Sequence, residues 1–193
     1  ARAGAAPADD DALLTAHFEP APHRYEMRVP PPLGLDPKGA DGIAVRPFEP
    51  GRDERAWLDV NNRAFAGHEE QGEWTEATLA RRTAESWFDP ALFLLAIDDR
   101  GLVGFDWLKV HEARDAEPQL GEIYVVGVDP RAQGRGLGWS LAVGGLDAVH
   151  ARGIDTGMLF CAADNTNALK LYRALGFTVH RTDRAYEYEV DPT

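Results

Sequence analysis

At residues 125–138 the sequence reads VVGVDPRAQGRGLG, and this run carries the strongest chemical signal in the 193-residue chain. An apolar strand pattern ends at Val128, Asp129-Pro130 turns the chain, and Gln133-Gly134-Arg135-Gly136-Leu137-Gly138 leads into a helical pattern. Glycines let the main chain approach a ligand closely and adopt conformations closed to other residues. Amide N–H groups at the start of the following helix, with the helix dipole behind them, suit a pyrophosphate. Since backbone holds most of the phosphate charge, an acidic chain can still bind an anionic ligand. The spacing Gly134-x-Gly136-x-Gly138 differs from the G-x-G-x-x-G of dinucleotide sites, and the loop does not follow the first strand of its region. A second block, DNTNALKLYRALGF at 164–177, sets Ala168, Leu169, Leu171, Tyr172 and Leu175 on one helical face and reaches Gly176, a residue suited to stop a helix.

Both blocks need a scaffold, and the pattern from Ile43 onward predicts one. IAVRPFEP reads as a strand. Residues 53–65 read as a helix with Trp57, Leu58, Val60 and Phe65 on its apolar side. Residues 75–86 read as a second helix, capped by Thr75, with Thr78 and Leu79 in its first turn. LFLLAID and GLVGFDWLKV form a hairpin through Asp98-Asp99-Arg100-Gly101. LGEIYVVGV is the most apolar strand; a helix over 138–152, a strand GMLFCAA, a helix over 166–175 and a closing β segment over 177–190 complete the order. The alternation predicts an α/β fold, a mixed sheet with helices on both faces.

The first 42 residues differ. They hold a helical pattern at 11–16, a strand-like RYEMRV at 24–29 and PPPLGLDPKGADG, a Pro/Gly linker over 30–42. The stretch ALLTAHFEPAPHRYEMRV (12–29) echoes YRALGFTVHRTDRAYEYEV (172–190). Residues 1–29 are therefore expected to be the tail of a truncated preceding repeat, with the main domain over 43–193.

The Q-G-x-G-x-G run, with Arg131 ahead of it, resembles the pyrophosphate loop of the GNAT acetyltransferases, and the 164–177 block resembles that family's post-strand Asn, Tyr-bearing helix and L-G-F ending. The resemblance implies the GNAT acyl-CoA N-acyltransferase fold, acetyl-CoA as cosubstrate and direct transfer from thioester to amine. It implies a cofactor site made of Val126, Gly127, Val128, Gln133, Gly134, Arg135, Gly136, Leu137, Gly138, Trp139, Asn165, Asn167, Ala168 and Lys170. Within the family, the stretches at 61–75, 85–90, 104–111 and 121–138 resemble the C-terminal domain of the mycothiol synthases, which are tandems of two GNAT domains with the second one active. That closer likeness implies acetylation of the cysteinyl amine of a cysteinyl-glucosaminyl-inositol. Glu122 then corresponds to the general base, acting directly or through a water, and Tyr172 to the acid that protonates the departing thiolate. Main-chain groups at 126–128 would face the pantetheine, and an N–H there would polarise the thioester carbonyl. Glu69, Lys109 and Phe160 correspond to substrate positions. The family tends to carry a Tyr and a Glu where this chain has Phe160 and Ala162, a departure that bears on the acceptor and leaves acetyl-CoA untouched.

Composition narrows the field. Lys and Arg number 20 against 32 Asp and Glu, a formal charge of −12, which argues against a nucleic-acid partner and suits a cationic amine. No apolar run approaches the roughly 18 residues of a membrane span, and the first residues do not pattern as a secretory leader. The single cysteine, Cys161, cannot form an internal disulfide; it reads as a small buried residue in an apolar strand, and a reducing cytoplasm is expected. No metal is expected, since His68-Glu69-Glu70 lacks partner ligands at metal spacing. The tryptophans at 57, 74, 87, 107 and 139 read as core. Expected partners are acetyl-CoA, a small amine and a preceding GNAT domain; monomer and dimer both stay open. Two other functions compete: acetylation of a different amine, which Phe160 and Ala162 favour, and a catalytically quiet acetyl-CoA-binding module, which the presence of both Glu122 and Tyr172 disfavours.

Overall fold

The computed structural model describes residues 19–37, 41–67 and 71–187; the helical pattern at 11–16 and Glu69 lie outside them. In chain order the elements are β1 (Glu19–Val29), β2 (Ala44–Pro47), α1 (Glu54–Ala64), α2 (Glu76–Thr83), a 3-10 turn (Pro90–Leu92), β3 (Phe93–Asp98), β4 (Gly101–His111), β5 (Leu120–Val128), a second 3-10 turn (Pro130–Ala132), α3 (Leu137–His150), β6 (Gly157–Ala162), α4 (Thr166–Ala174) and β7 (Thr178–Glu187). They sort into two compact units, one over Val29–Met158 and one that joins the segment up to Arg28 with the segment from Leu159 onward.

The larger unit is built on four antiparallel strands in the order β2-β3-β4-β5. Asp98 pairs with Gly101, so Asp99 and Arg100 form the two-residue loop of the hairpin, and Gly101 takes a φ of 111° that suits only glycine. Side chains alternate between the faces of the sheet. On one face Phe93, Phe105 and Trp107 meet Trp57 of α1 edge-on, with ring centroids 5.2–5.8 Å apart, and Phe93 stacks on Trp107 at 4.3 Å. On the other face α3 presses close: a Cβ on Gly104 would stand 3.1 Å from Leu141 Cδ1, and one on Gly145 would strike the carboxylate of Asp106. Helices thus cover both faces of this sheet, as the alternating pattern predicts.

α1 buries Trp57, Leu58, Val60 and Asn61 along one stripe. Asp53 precedes it without capping it, because its carboxylate accepts two hydrogen bonds from the Arg46 guanidinium, at 2.6 and 2.8 Å. That pairing holds the Asp53 carboxyl below its usual range. α2 is capped as expected, Thr75 Oγ1 accepting the Thr78 N–H at 3.2 Å. It stops at Thr83, short of the expected 86, because the chain then turns to place Trp87 and Phe88 against the aromatic cluster.

The smaller unit holds most of β6 (from Leu159), β1 (to Arg28) and β7 in that order, with α4. β1 runs antiparallel to β7 from Glu19 opposite Glu187 to Arg28 opposite Thr178. Buried Glu26 ties the pair, receiving Arg28 at 2.6 Å and Arg181 at 3.0 Å. The RYEMRV segment is thereby a full strand partner of the closing β segment.

Candidate active site

In the larger unit, Glu122 owes its position to one irregularity in the β4–β5 ladder. Trp107 pairs with Val125 but Leu108 pairs with Ile123, so Tyr124 is an extra residue on β5. A bulge of this kind reverses the alternation beyond it. Glu122 therefore comes to stand opposite Lys109, on the face that carries Trp107 and Trp87. Without the extra residue, Glu122 would point to the α3 face. Glu122 is 7% exposed, and its Oε2 lies 2.6 Å from His111 Nε2 at the end of β4. The Lys109 ammonium lies 4.7 Å from the Trp87 ring centre and 5.7 Å from that of Tyr124. Burial raises the Tyr124 phenol above its ordinary range, so it is a neutral wall at physiological pH. This corner combines a buried carboxylate, a cation lodged on aromatic rings and an imidazole. Such a set can take a proton from an amine and hold a polar acceptor. His111 escapes a reading based on motifs, yet its period-2 spacing from Trp107 and Lys109 is the signal that puts it on their face.

Six residues beyond Glu122, β5 ends in the glycine-rich loop. Asp129 is fully buried and anchors the turn: Oδ1 accepts the Arg131 N–H at 3.0 Å, and Oδ2 accepts from Arg63 of α1 at 2.7 Å. Burial alone would raise this carboxyl; the Arg131 amide and guanidinium and the Arg63 guanidinium outweigh it and hold it below its usual range. Gly134 and Gly136 take φ values of 78° and 81°, and a Cβ on Gly134 would meet nothing within 4 Å, so the loop's outer side is open. Gly136 is the N-cap of α3 and supplies no capping side chain, which leaves the opening amides of Leu137 and Gly138 for an anion. The loop's long side chains turn back onto protein. Gln133 Nε2 donates to the Val128 carbonyl at 3.3 Å, Arg135 donates to the Asp41 carbonyl at 3.4 Å, and the Trp139 indole donates to the Asp36 carbonyl at 3.0 Å. What Gln133, Gly134, Arg135, Gly136, Leu137, Gly138 and Trp139 have in common along this loop is therefore their backbone. Val126 and Val128 pack beside Leu137 and Leu141, and Gly127 has a packing reason to be glycine, since a Cβ there would lie 2.8 Å from the Phe105 ring.

In the smaller unit, Asn165 caps α4, its Oδ1 accepting the Ala168 N–H at 3.1 Å. Asn167 and Lys170 are exposed on α4, with Ala168 half-buried. Tyr172, 8% exposed, meets Phe177 edge-on at 5.7 Å. Phe160 lies under the Arg24 guanidinium at 4.8 Å from its ring centre. Cys161 is buried, and burial pushes its thiol up to about 11.

The profile of the Acetyltransferase (GNAT) family matches residues 54–177. A mycothiol acetyltransferase of Pseudarthrobacter chlorophenolicus is 49% identical over 178 residues, which is 90% of this chain and 55% of that protein. A mycothiol acetyltransferase of Thermobispora bispora is 52% identical over 164 residues, 84% of this chain and 56% of that protein. Among solved structures, a GCN5-related N-acetyltransferase from Sphaerobacter thermophilus superposes with a TM-score of 0.72 at 29% identity, covering 95% of this chain and 56% of that one. The chain spans about half the length of the curated relatives it matches.

Proposed function

Because the chain belongs to the GNAT acetyltransferase family, we propose that it transfers acetyl from acetyl-CoA to the cysteinyl amine of a cysteinyl-glucosaminyl-inositol. The observation that carries this reading is the bulge-directed Glu122, buried beside Lys109, on the same strand that runs into the open glycine loop. We take residues 43–193 as the transferase domain, 30–42 as its linker and 1–29 as the tail of a preceding GNAT repeat. The chemistry belongs in the cytoplasm.

Acetyl-CoA supplies an activated acetyl thioester. The loop amides and the α3 N-terminus receive its pyrophosphate, and Asn165, Asn167, Ala168 and Lys170 receive the rest of the carrier. A main-chain N–H at Val126, Gly127 or Val128 polarises the thioester carbonyl. Only a neutral nitrogen can attack, so Glu122 accepts the amine proton, directly or through a water. As the C–N bond forms and the C–S bond breaks, Tyr172 gives its proton to the leaving sulfur. Lys109, Glu69 and Phe160 hold the sugar part of the acceptor.

The test is thiol release from acetyl-CoA with the cysteinyl-glucosaminyl-inositol as acceptor, and with cysteine and glucosamine as controls. Turnover restricted to the full acceptor supports the reading. Intact acetyl-CoA binding by calorimetry with no turnover on it would overturn that acceptor. A different amine is the second reading, favoured by Phe160 and Ala162, which offer neither a phenol nor a carboxylate, and by the Arg24 guanidinium stacked on Phe160.

A further inference from the structure

We propose that His111 is the positioning residue for the base: its Nε2–H donates to Glu122 Oε2 and so presents the other oxygen, Oε1, to the acceptor amine. This rests on the proposed role of Glu122. A carboxylate serving as the base can only accept hydrogen bonds, so in this role the imidazole supplies the N–H of the 2.6 Å contact. Lys109 stands directly opposite Glu122, but its ammonium is drawn over Trp87 and Tyr124 instead. Among the described residues no side chain other than His111 hydrogen-bonds the Glu122 carboxylate. The two are brought together by the same register: Glu122 faces Lys109 across the ladder, and His111 lies two residues beyond Lys109 on β4, on the same face.

A buried carboxylate held at one oxygen has one orientation, and its free lone pairs point one way. Released, it rotates about its terminal torsions, and the distance to the amine changes by an amount that matters for proton transfer. His111 itself touches neither the carrier nor the acetyl group in this scheme. The proton it donates stays on Nε2 throughout, and the amine proton goes to Oε1.

The experiment is steady-state kinetics on the full chain with acetyl-CoA and the acceptor, comparing H111A, H111Q, E122Q and the double variant H111A/E122Q. H111A is expected to lower kcat about 10- to 100-fold with little change in either KM. H111Q, whose amide N–H reaches near the place of Nε2, is expected to recover most of that loss. In the double variant the turnover should be no lower than in E122Q, since the imidazole acts only through the carboxylate. Calorimetric binding of acetyl-CoA and an unchanged near-ultraviolet circular dichroism spectrum check that H111A is folded. Wild-type kcat in H111A, equal losses in H111A and H111Q, or losses that multiply fully in the double variant would each overturn the proposal. E122Q with wild-type turnover removes the base assignment and His111's role together; a slow E122Q beside a fast H111A removes only the latter.

Discussion

Burial alters the chemistry of several single residues here, and in each it favours the protonated form. The Cys161 thiol, pushed up to about 11, is protonated at neutral pH and offers no nucleophile. Cys161→Ser should therefore keep kcat within about twofold, measured by thiol release; a collapse of turnover would mean a covalent acyl-enzyme route in place of direct transfer. Asp106 is a sharper case. It lies fully buried on β4 against Gly145, and among the described residues neither carboxyl oxygen has a hydrogen-bond partner. Desolvation raises this carboxyl well above its ordinary range, so the folded chain keeps a proton that the unfolded chain releases. Its stabilising contribution is full below about pH 4 and is lost as pH rises toward the raised folded value, with a slope of at most about 1.4 kcal/mol per pH unit. Asp106→Asn cannot ionise. Relative to wild type it should gain stability between pH 5 and pH 8, read from urea midpoints at both. A wild-type-to-variant difference that is the same at the two pH values would show that Asp106 does not titrate differently in the folded chain.

At the scale of the element, the loop into α3 and the bulge on β5 carry separate proposed roles and should fail separately. Gly136 sits at φ 81° as the N-cap of α3. Gly136→Ala places a Cβ in the left-handed region, which costs about 1–2 kcal/mol and pulls the helix's opening amides out of line. The expected outcome is acetyl-CoA binding weakened at least about tenfold by calorimetry, with Glu122 chemistry intact at saturating cofactor. If Gly136→Ala binds acetyl-CoA as wild type does, the cradle lies elsewhere. The hairpin at Asp99-Arg100, the Thr75 cap and the strand-loop-helix run through α3 were legible in the sequence because each is set by neighbours a few residues apart. The bulge at Tyr124 was not, since register is a relation between two strands and leaves no mark on either alone. His111 was hidden for the same reason. The early end of α2 also escaped, because the burial of Trp87 and Phe88 overrides the helical tendency of the residues before them. Gly127 has a packing reason to be glycine that the sequence does not show either, since a Cβ there would lie 2.8 Å from the ring of Phe105, its partner on the paired strand.

At the scale of the whole molecule, the composition shift near residue 42 suggests where to cut, and the strand pairing suggests somewhere else. β1 precedes the Pro/Gly segment yet lies along β7 for most of its length. It brings Met27, which is fully buried, and Glu26, whose carboxylate receives Arg28 and Arg181. Removing residues 1–29 would bare one edge of β7, leave Arg181 without Glu26 and forfeit the burial of Met27. Exposed edges of this kind invite pairing with other chains. Loss of a buried side chain of that size costs about 2–5 kcal/mol, which for a chain of this length lowers the melting temperature by roughly 10 °C. The 30–193 fragment is therefore expected to melt well below the full chain, or to associate, when both are followed by circular dichroism and size-exclusion chromatography. Equal melting temperatures for the two would show that β1 is dispensable and that the fold is self-sufficient from the linker onward. In the first case the tail of a preceding repeat would be a structural part of the domain that follows it, and a domain boundary drawn from composition would fall inside a folded unit.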